Sequence, residues 1–83
     1  MENTVWLLVI DDHRDATQYK VCDSRDAAQK LFEKVVRENY FYTETSSEER
    51  LRDQVRSDCG RWETDEGDYV TFYELPVLTI ANI

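Results

Sequence analysis

The run Asp11-Asp12-His13-Arg14-Asp15 holds the residue types best suited to chemistry in this chain: three carboxylates and the only imidazole. Carboxylate oxygens with one ring nitrogen in a loop suit a hard or borderline cation. The spacing of an EF-hand loop is missing, however, and no second His exists to complete a zinc site. Nucleophilic catalysis needs a Ser or Cys beside a base, and a third group that orients the base. The two thiols are Cys22 and Cys59, and Cys22 is expected at the far end of a hairpin from His13. A paired-carboxylate glycosidase needs a cleft, for which 83 residues leave little room. With Gly60 and Gly67 the only glycines, there is no phosphate-cradling motif. The chain is therefore expected to carry no catalytic residue, no metal and no cofactor.

What the polar segments share is charge. Eighteen Asp and Glu face ten Lys and Arg, a net charge of −8 at pH 7, and the pI is near 4.5. The acid gathers in Asp11 to Asp15, in Glu44 to Glu49 and in Glu63 to Asp68. This argues against direct binding to nucleic acid or to an anionic membrane, because phosphate contact needs clustered Lys and Arg. It favours a basic partner, or simply solubility. Two cysteines do not make a disulfide framework, and two reduced thiols in a cytosolic protein are expected. Met-Glu-Asn-Thr has no basic n-region of a signal peptide. The longest apolar run, Val5 to Ile10, is too short to span a bilayer.

The elements that must position these groups follow from periodicity. Val5 to Ile10, apolar on both faces, predicts a central strand. Asp11 to Ala16 reads as a turn. Thr17 to Cys22 alternates, with Thr17, Tyr19 and Val21 on one side and Gln18, Lys20 and Cys22 on the other, and predicts a half-buried second strand of a hairpin. Asp23 or Ser24 starts a helix over about 24–40, with Asp23 and Asp26 as a capping pair. Its stripe is Ala27, Ala28, Leu31, Phe32, Val35, Val36 and Tyr40. Residues 41–45 are ambiguous. Ser46 and Glu49 have capping-box spacing for a short helix over about 47–57. Arg61 to Thr64 and Tyr69 to Leu75 predict two more strands, joined by a turn in which Gly67 takes positive φ. Pro76 ends the last strand or marks an edge, and the apolar tail to Ile83 adds an edge strand, covers a sheet edge or face, or mediates self-association.

These elements make one domain, residues 1–83. The expected architecture is α+β in the order ββααββ: a four-stranded antiparallel sheet covered on one face by the long helix and the short one. Tracing the chain up and down puts all three acidic segments at one pole. Asp11, Asp12, Asp15, Glu44, Glu48, Glu49, Asp65, Glu66 and Asp68 are then the candidate partner-binding residues, with Arg14 and Arg50 alone opposing them. In a single-layer sheet, one of the sets Trp6/Leu8/Ile10 and Val5/Leu7/Val9 must face away from the helices. Tyr69, Thr71 and Tyr73 can join that outer set, as an interaction surface or homodimer interface.

In size, acidity and layout the chain resembles the small proteins that phages and other mobile elements use against host defence, anti-CRISPR proteins among them. The resemblance runs over the whole chain. It is carried by short length, by the carboxylate clusters of Asp11–Asp15 and Glu63–Asp68, and by the lack of catalytic residues; it brings no site residue with it. What it implies is an inhibitor in the cytoplasm of a host bacterium, a DNA mimic whose acidic surface occupies a basic groove meant for nucleic acid. The leading expectation is thus a non-enzymatic protein that blocks a basic, nucleic-acid-handling partner. The alternatives are a self-associating assembly module and a small ligand- or metal-binding domain centred on Asp11–Asp15.

Overall fold

The computed structural model describes residues 4–14, 16–41 and 47–76. The elements run β1 (Thr4–Asp11), β2 (Gln18–Cys22), α1 (Arg25–Val35) with a π-helical extension (Val36–Tyr40), α2 (Glu48–Arg56), β3 (Arg61–Glu63) and β4 (Tyr69–Pro76). The sheet is antiparallel throughout, in the order β2-β1-β4-β3. This is the expected ββααββ architecture. No helix among the described residues is long and apolar enough to cross a membrane.

Strand β1 is central because both of its faces are apolar. Trp6, Leu8 and Ile10 turn toward the helices and join the core with Val70 and Phe72 of β4 and Trp62 of β3. Val5, Leu7 and Val9 therefore face the other way, beside Tyr73 and Thr71 of β4. From the helices, Ala28, Phe32, Val36, Tyr40 and Leu51 close over the inner face, with the Phe32 and Phe72 rings 5.0 Å apart. The stripe advances in steps of four residues, and in an α-helix each such step overshoots a full turn by about 40°. The wider π turn over Val36–Tyr40 offsets that drift, so Tyr40 stays in the core.

Local signals account for the helix starts, with the caps one residue away from the expected ones. Ser24, not an Asp23/Asp26 pair, caps α1 by accepting from the Ala27 N–H at 3.1 Å. Ser47 caps α2 by accepting from the Arg50 N–H at 3.1 Å; the expected cap, Ser46, lies outside the described residues. Gly60 sits where β3 meets β4. A Cβ there would run into the Phe72 ring and lie 2.5 Å from the Gln54 carbonyl oxygen, so the close approach of α2 to the sheet requires glycine.

One strand departs from expectation. β2 is not half-buried: Gln18 to Val21 are exposed and only Cys22 is buried. The reason is topological. β2 is an edge strand, and α1 packs mainly over β1 and β4, so neither face of most of β2 gains a covering layer. The expected tail element at 77–83 lies outside the described residues.

Candidate functional site

Strands β1 and β4 pair along their whole length, with Asp11 opposite Tyr69. The turn after β1 and the loop before β4 must then lie side by side. The loop is made locally. The Gly67 N–H donates to the Thr64 carbonyl at 3.2 Å, Gly67 takes φ +95°, and the Asp68 N–H donates to Thr64 Oγ1 at 3.1 Å. Such a turn followed by a left-handed glycine suits a short β-hairpin connection.

Asp68 joins the two acidic segments. Its side chain is fully buried. The carboxylate accepts from the His13 backbone N–H at 2.8 Å and from Thr64 Oγ1 at 3.4 Å. With its proton on Nδ1, the His13 ring donates to the same carboxylate at 2.5 Å. His13 Nε2 stands 3.9 Å from Glu66. A second strand of the network runs through Asp12. Its Oδ1 accepts from the Arg14 N–H at 2.9 Å, tightening the turn, and its Oδ2 accepts from the Tyr40 hydroxyl at 3.1 Å. The Tyr40 carbonyl in turn accepts from Trp62 Nε1 at 3.0 Å. The end of the long helix, the first turn and the β3–β4 loop are thereby tied into one pole. Ligand atoms of Asp12, His13 and Asp68 lie within 4.8 Å of one another, but they are engaged in these hydrogen bonds. Such a network is a structural latch, which a cation would have to dismantle to bind.

The fates of the nine candidate residues differ. Asp15 and Glu44 lie outside the described residues. Asp68 is buried and holds the loops together, so its carboxylate is not surface charge. Asp12 is largely covered and occupied by Tyr40 and Arg14. Glu48 is held by Arg37 through two hydrogen bonds of 2.6 Å, a neutralising partner additional to the expected Arg14 and Arg50. The Arg37 guanidinium keeps the Glu48 carboxyl below its usual range. The carboxylate therefore favours the folded chain at neutral pH, and that contribution fades as pH falls through the lowered value. Glu49, Asp65 and Glu66 remain exposed at this pole, with Asp11 partly so. Arg50 is not a free counter-charge either: its guanidinium lies over the Trp62 ring at 4.9 Å. Arg37, Tyr40 and Thr64 are participants that the charge pattern did not single out. Their signal was indirect, a cation, a phenol and a hydroxyl at the ends of elements that meet here.

Desolvation, followed by the charge and hydrogen bond of Asp11, pushes the Tyr69 phenol above its ordinary value, so it stays neutral. Both cysteines are free; Cys22 is buried and Cys59 exposed. Burial, reinforced by Asp23, pushes the Cys22 thiol up. A raised pKa leaves little thiolate to react. One thiol, Cys59, is expected to react with an aromatic disulfide reagent at pH 7.5 in the native chain, and the second only in denaturant. Equal rates for both thiols in native buffer would contradict this burial.

Comparison with protein-family models, with curated proteins and with solved structures finds no match for this chain.

Proposed function

We propose that the chain is a non-enzymatic binding protein that presents an anionic pole to a basic, nucleic-acid-handling partner, as an inhibitor of a host-defence (CRISPR-Cas) component would. The observation that carries this reading is the His13–Asp68 contact, which holds two acidic segments 55 residues apart in sequence side by side. One buried carboxylate is spent on the latch, and the result is a rigid mount for Asp65 and Glu66, with Asp11 beside them and Glu49 at the start of α2. Carboxylates at a helix N-terminus and in a tight turn cost little to hold there. They attract Lys and Arg over a distance of about 8–10 Å at physiological salt, and such complementarity raises encounter rates more than affinity.

The test separates this pole from net charge. A deca-arginine peptide serves as the probe, read by fluorescence anisotropy across a salt series. Glu49→Gln/Asp65→Asn/Glu66→Gln removes charge at the pole. Asp23→Asn/Asp53→Asn/Glu74→Gln removes the same charge elsewhere. The first variant is expected to bind about tenfold more weakly than the second at low salt, with the difference collapsing at high salt. Equal binding by the two variants would reduce the pole to ordinary solubilising charge. Immobilised chain is also expected to capture, from a bacterial lysate, nucleic-acid-binding proteins that high salt or heparin releases. Capture that is insensitive to both would speak against the proposed partner class.

A further inference from the structure

The outer edge of β2 offers a feature that the anionic pole does not use. The Phe72 N–H donates to the Gly60 carbonyl on the β3 side. Backbone groups alternate along an antiparallel ladder, so in β4 the even-numbered residues bond β3 and the odd-numbered ones bond β1. Following the observed register through β1, Gln18, Lys20 and Cys22 bond β1. Tyr19 and Val21 then turn their N–H and C=O groups outward. Among the described residues nothing pairs with them. Their side chains are 67% and 69% exposed and lie on the sheet face turned away from α1 and α2. A strand edge with free backbone groups and exposed apolar side chains is a template for another strand.

We infer that this edge pairs with the β2 edge of a second copy of the chain, antiparallel, with Tyr19 opposite Tyr19. Charge selects the occupant. Each copy carries −8, so two copies repel wherever acid is exposed. Residues 16–22 contain no Asp or Glu and one Lys, which makes this edge a place where like molecules can meet, and Lys20 disfavours a basic foreign strand. Direction adds to the argument. β2 runs away from the anionic pole, so an antiparallel pair puts the two poles at opposite ends of the joined sheet, where their repulsion is least.

The register follows from the same logic. Pairing centred on Lys20 would set two ammonium groups directly opposite each other, which is unfavourable. Centring on Tyr19 sets Lys20 of the second copy opposite Gln18. Gln18 borders an open cavity of about 330 Å3 between β2 and the long helix, lined also by Asp12, Val35 and Asn39. On the face away from the helices the two Tyr19 rings become neighbours, and each Val21 lies opposite Thr17 of the other copy. The result is one sheet continuous across both copies.

Sedimentation equilibrium from micromolar to millimolar concentration tests this with the full chain. A concentration-dependent dimer is expected. Tyr19→Lys/Val21→Lys is expected to raise its dissociation constant at least about tenfold, because like charges would meet across the new ladder. Both positions are exposed, so the circular dichroism of that variant should match the parent. Leu75→Lys, on the same sheet face but away from β2, should leave the dimer intact. Register is read independently with Tyr19→Cys in a Cys59→Ser background. Paired residues in this register have Cα atoms about 5.5 Å apart, within disulfide reach, so mild oxidation should link the dimer covalently. A parent that stays monomeric to 1 mM (a range set by about 4 kcal/mol of association energy) overturns the inference and leaves the edge to a foreign strand. So does a dimer that ignores the Tyr19/Val21 change. A dimer lost with Leu75→Lys alone would instead mean face-to-face stacking of sheets.

Discussion

Trp62→Ala is expected to lower the free energy of unfolding by about 3–5 kcal/mol, the usual cost of truncating a fully buried large aromatic. Trp62 has no exposed surface and ties three elements together. Its indole N–H donates to the Tyr40 carbonyl at 3.0 Å, its ring lies against Phe41 with centroids 5.5 Å apart, and the Arg50 guanidinium rests over it at 4.9 Å. Truncation opens a cavity and also removes the indole N–H that donates to the Tyr40 carbonyl, so the two losses compound. Small domains have only about 5–15 kcal/mol in hand, so a large part of the stability goes with one side chain. Urea denaturation followed by far-ultraviolet circular dichroism measures it. Trp62→Phe, which keeps most of the volume but not the donor, should lose about half as much. A loss below about 1 kcal/mol for the alanine variant would mean that Trp62 is not packed as described.

Asp68→Ala is the second large effect, expected at about 2–4 kcal/mol. A hydrogen bond to a charged acceptor contributes about 1.5–3 kcal/mol, and this carboxylate accepts from the His13 N–H, the His13 ring and Thr64. His13 is 40% exposed, so water replaces part of what the ring loses, which keeps the figure below the sum of the bonds. Asp68→Asn retains an acceptor for the His13 N–H and should cost less than the alanine change. Two readouts belong together. Denaturation gives the stability, and amide hydrogen exchange at residues 11–14 and 64–68 tells whether both loops loosen in concert. A stable variant with unchanged exchange in the first turn would show that the loops are held by strand pairing alone. If they do separate, binding to the deca-arginine probe should weaken although Asp68 itself never reaches the surface.

Sequence alone does not tell a buried carboxylate from an exposed one. Counting carboxylates along the chain locates acidic segments, and the pairing of β1 with β4 sets the first turn beside the β3–β4 loop. Counting does not distinguish Asp68, spent inside the latch, from Asp65 and Glu66, three and two residues earlier and open to solvent. The difference arises because β4 begins at Tyr69 and its register with β1 carries Asp68 beneath the preceding turn, next to His13. Likewise Glu48 was legible as a helix-start carboxylate. Its pairing with Arg37 depends on how the end of the long helix meets the start of α2, a long-range relation absent from local spacing.

One helical layer leaves one set of β1 side chains on the face away from the helices, but periodicity could not choose between Trp6/Leu8/Ile10 and Val5/Leu7/Val9, since both sets are apolar. Packing decided it. The pleat is shared across strands, so once Phe72 and Val70 face Phe32, Leu8 and Ile10 beside them must face the same way. β2 is more exposed than its alternation predicts for a related reason. An alternating pattern states which residues share a face, not whether anything covers that face. Coverage depends on where α1 crosses the sheet, and α1 lies over the central pair.

Local physical chemistry, then, was sufficient for the order and type of the elements, for the helix starts to within a residue and for the approach of the first turn to the β3–β4 loop, because each depends on spacing along the chain. Only the tertiary structure could decide which carboxylates are spent on holding the fold, which face of the central strand is inside and how far the helices reach over β2. Those are properties of neighbours brought together from distant positions, and desolvation and hydrogen bonding act on a side chain through its neighbours in space.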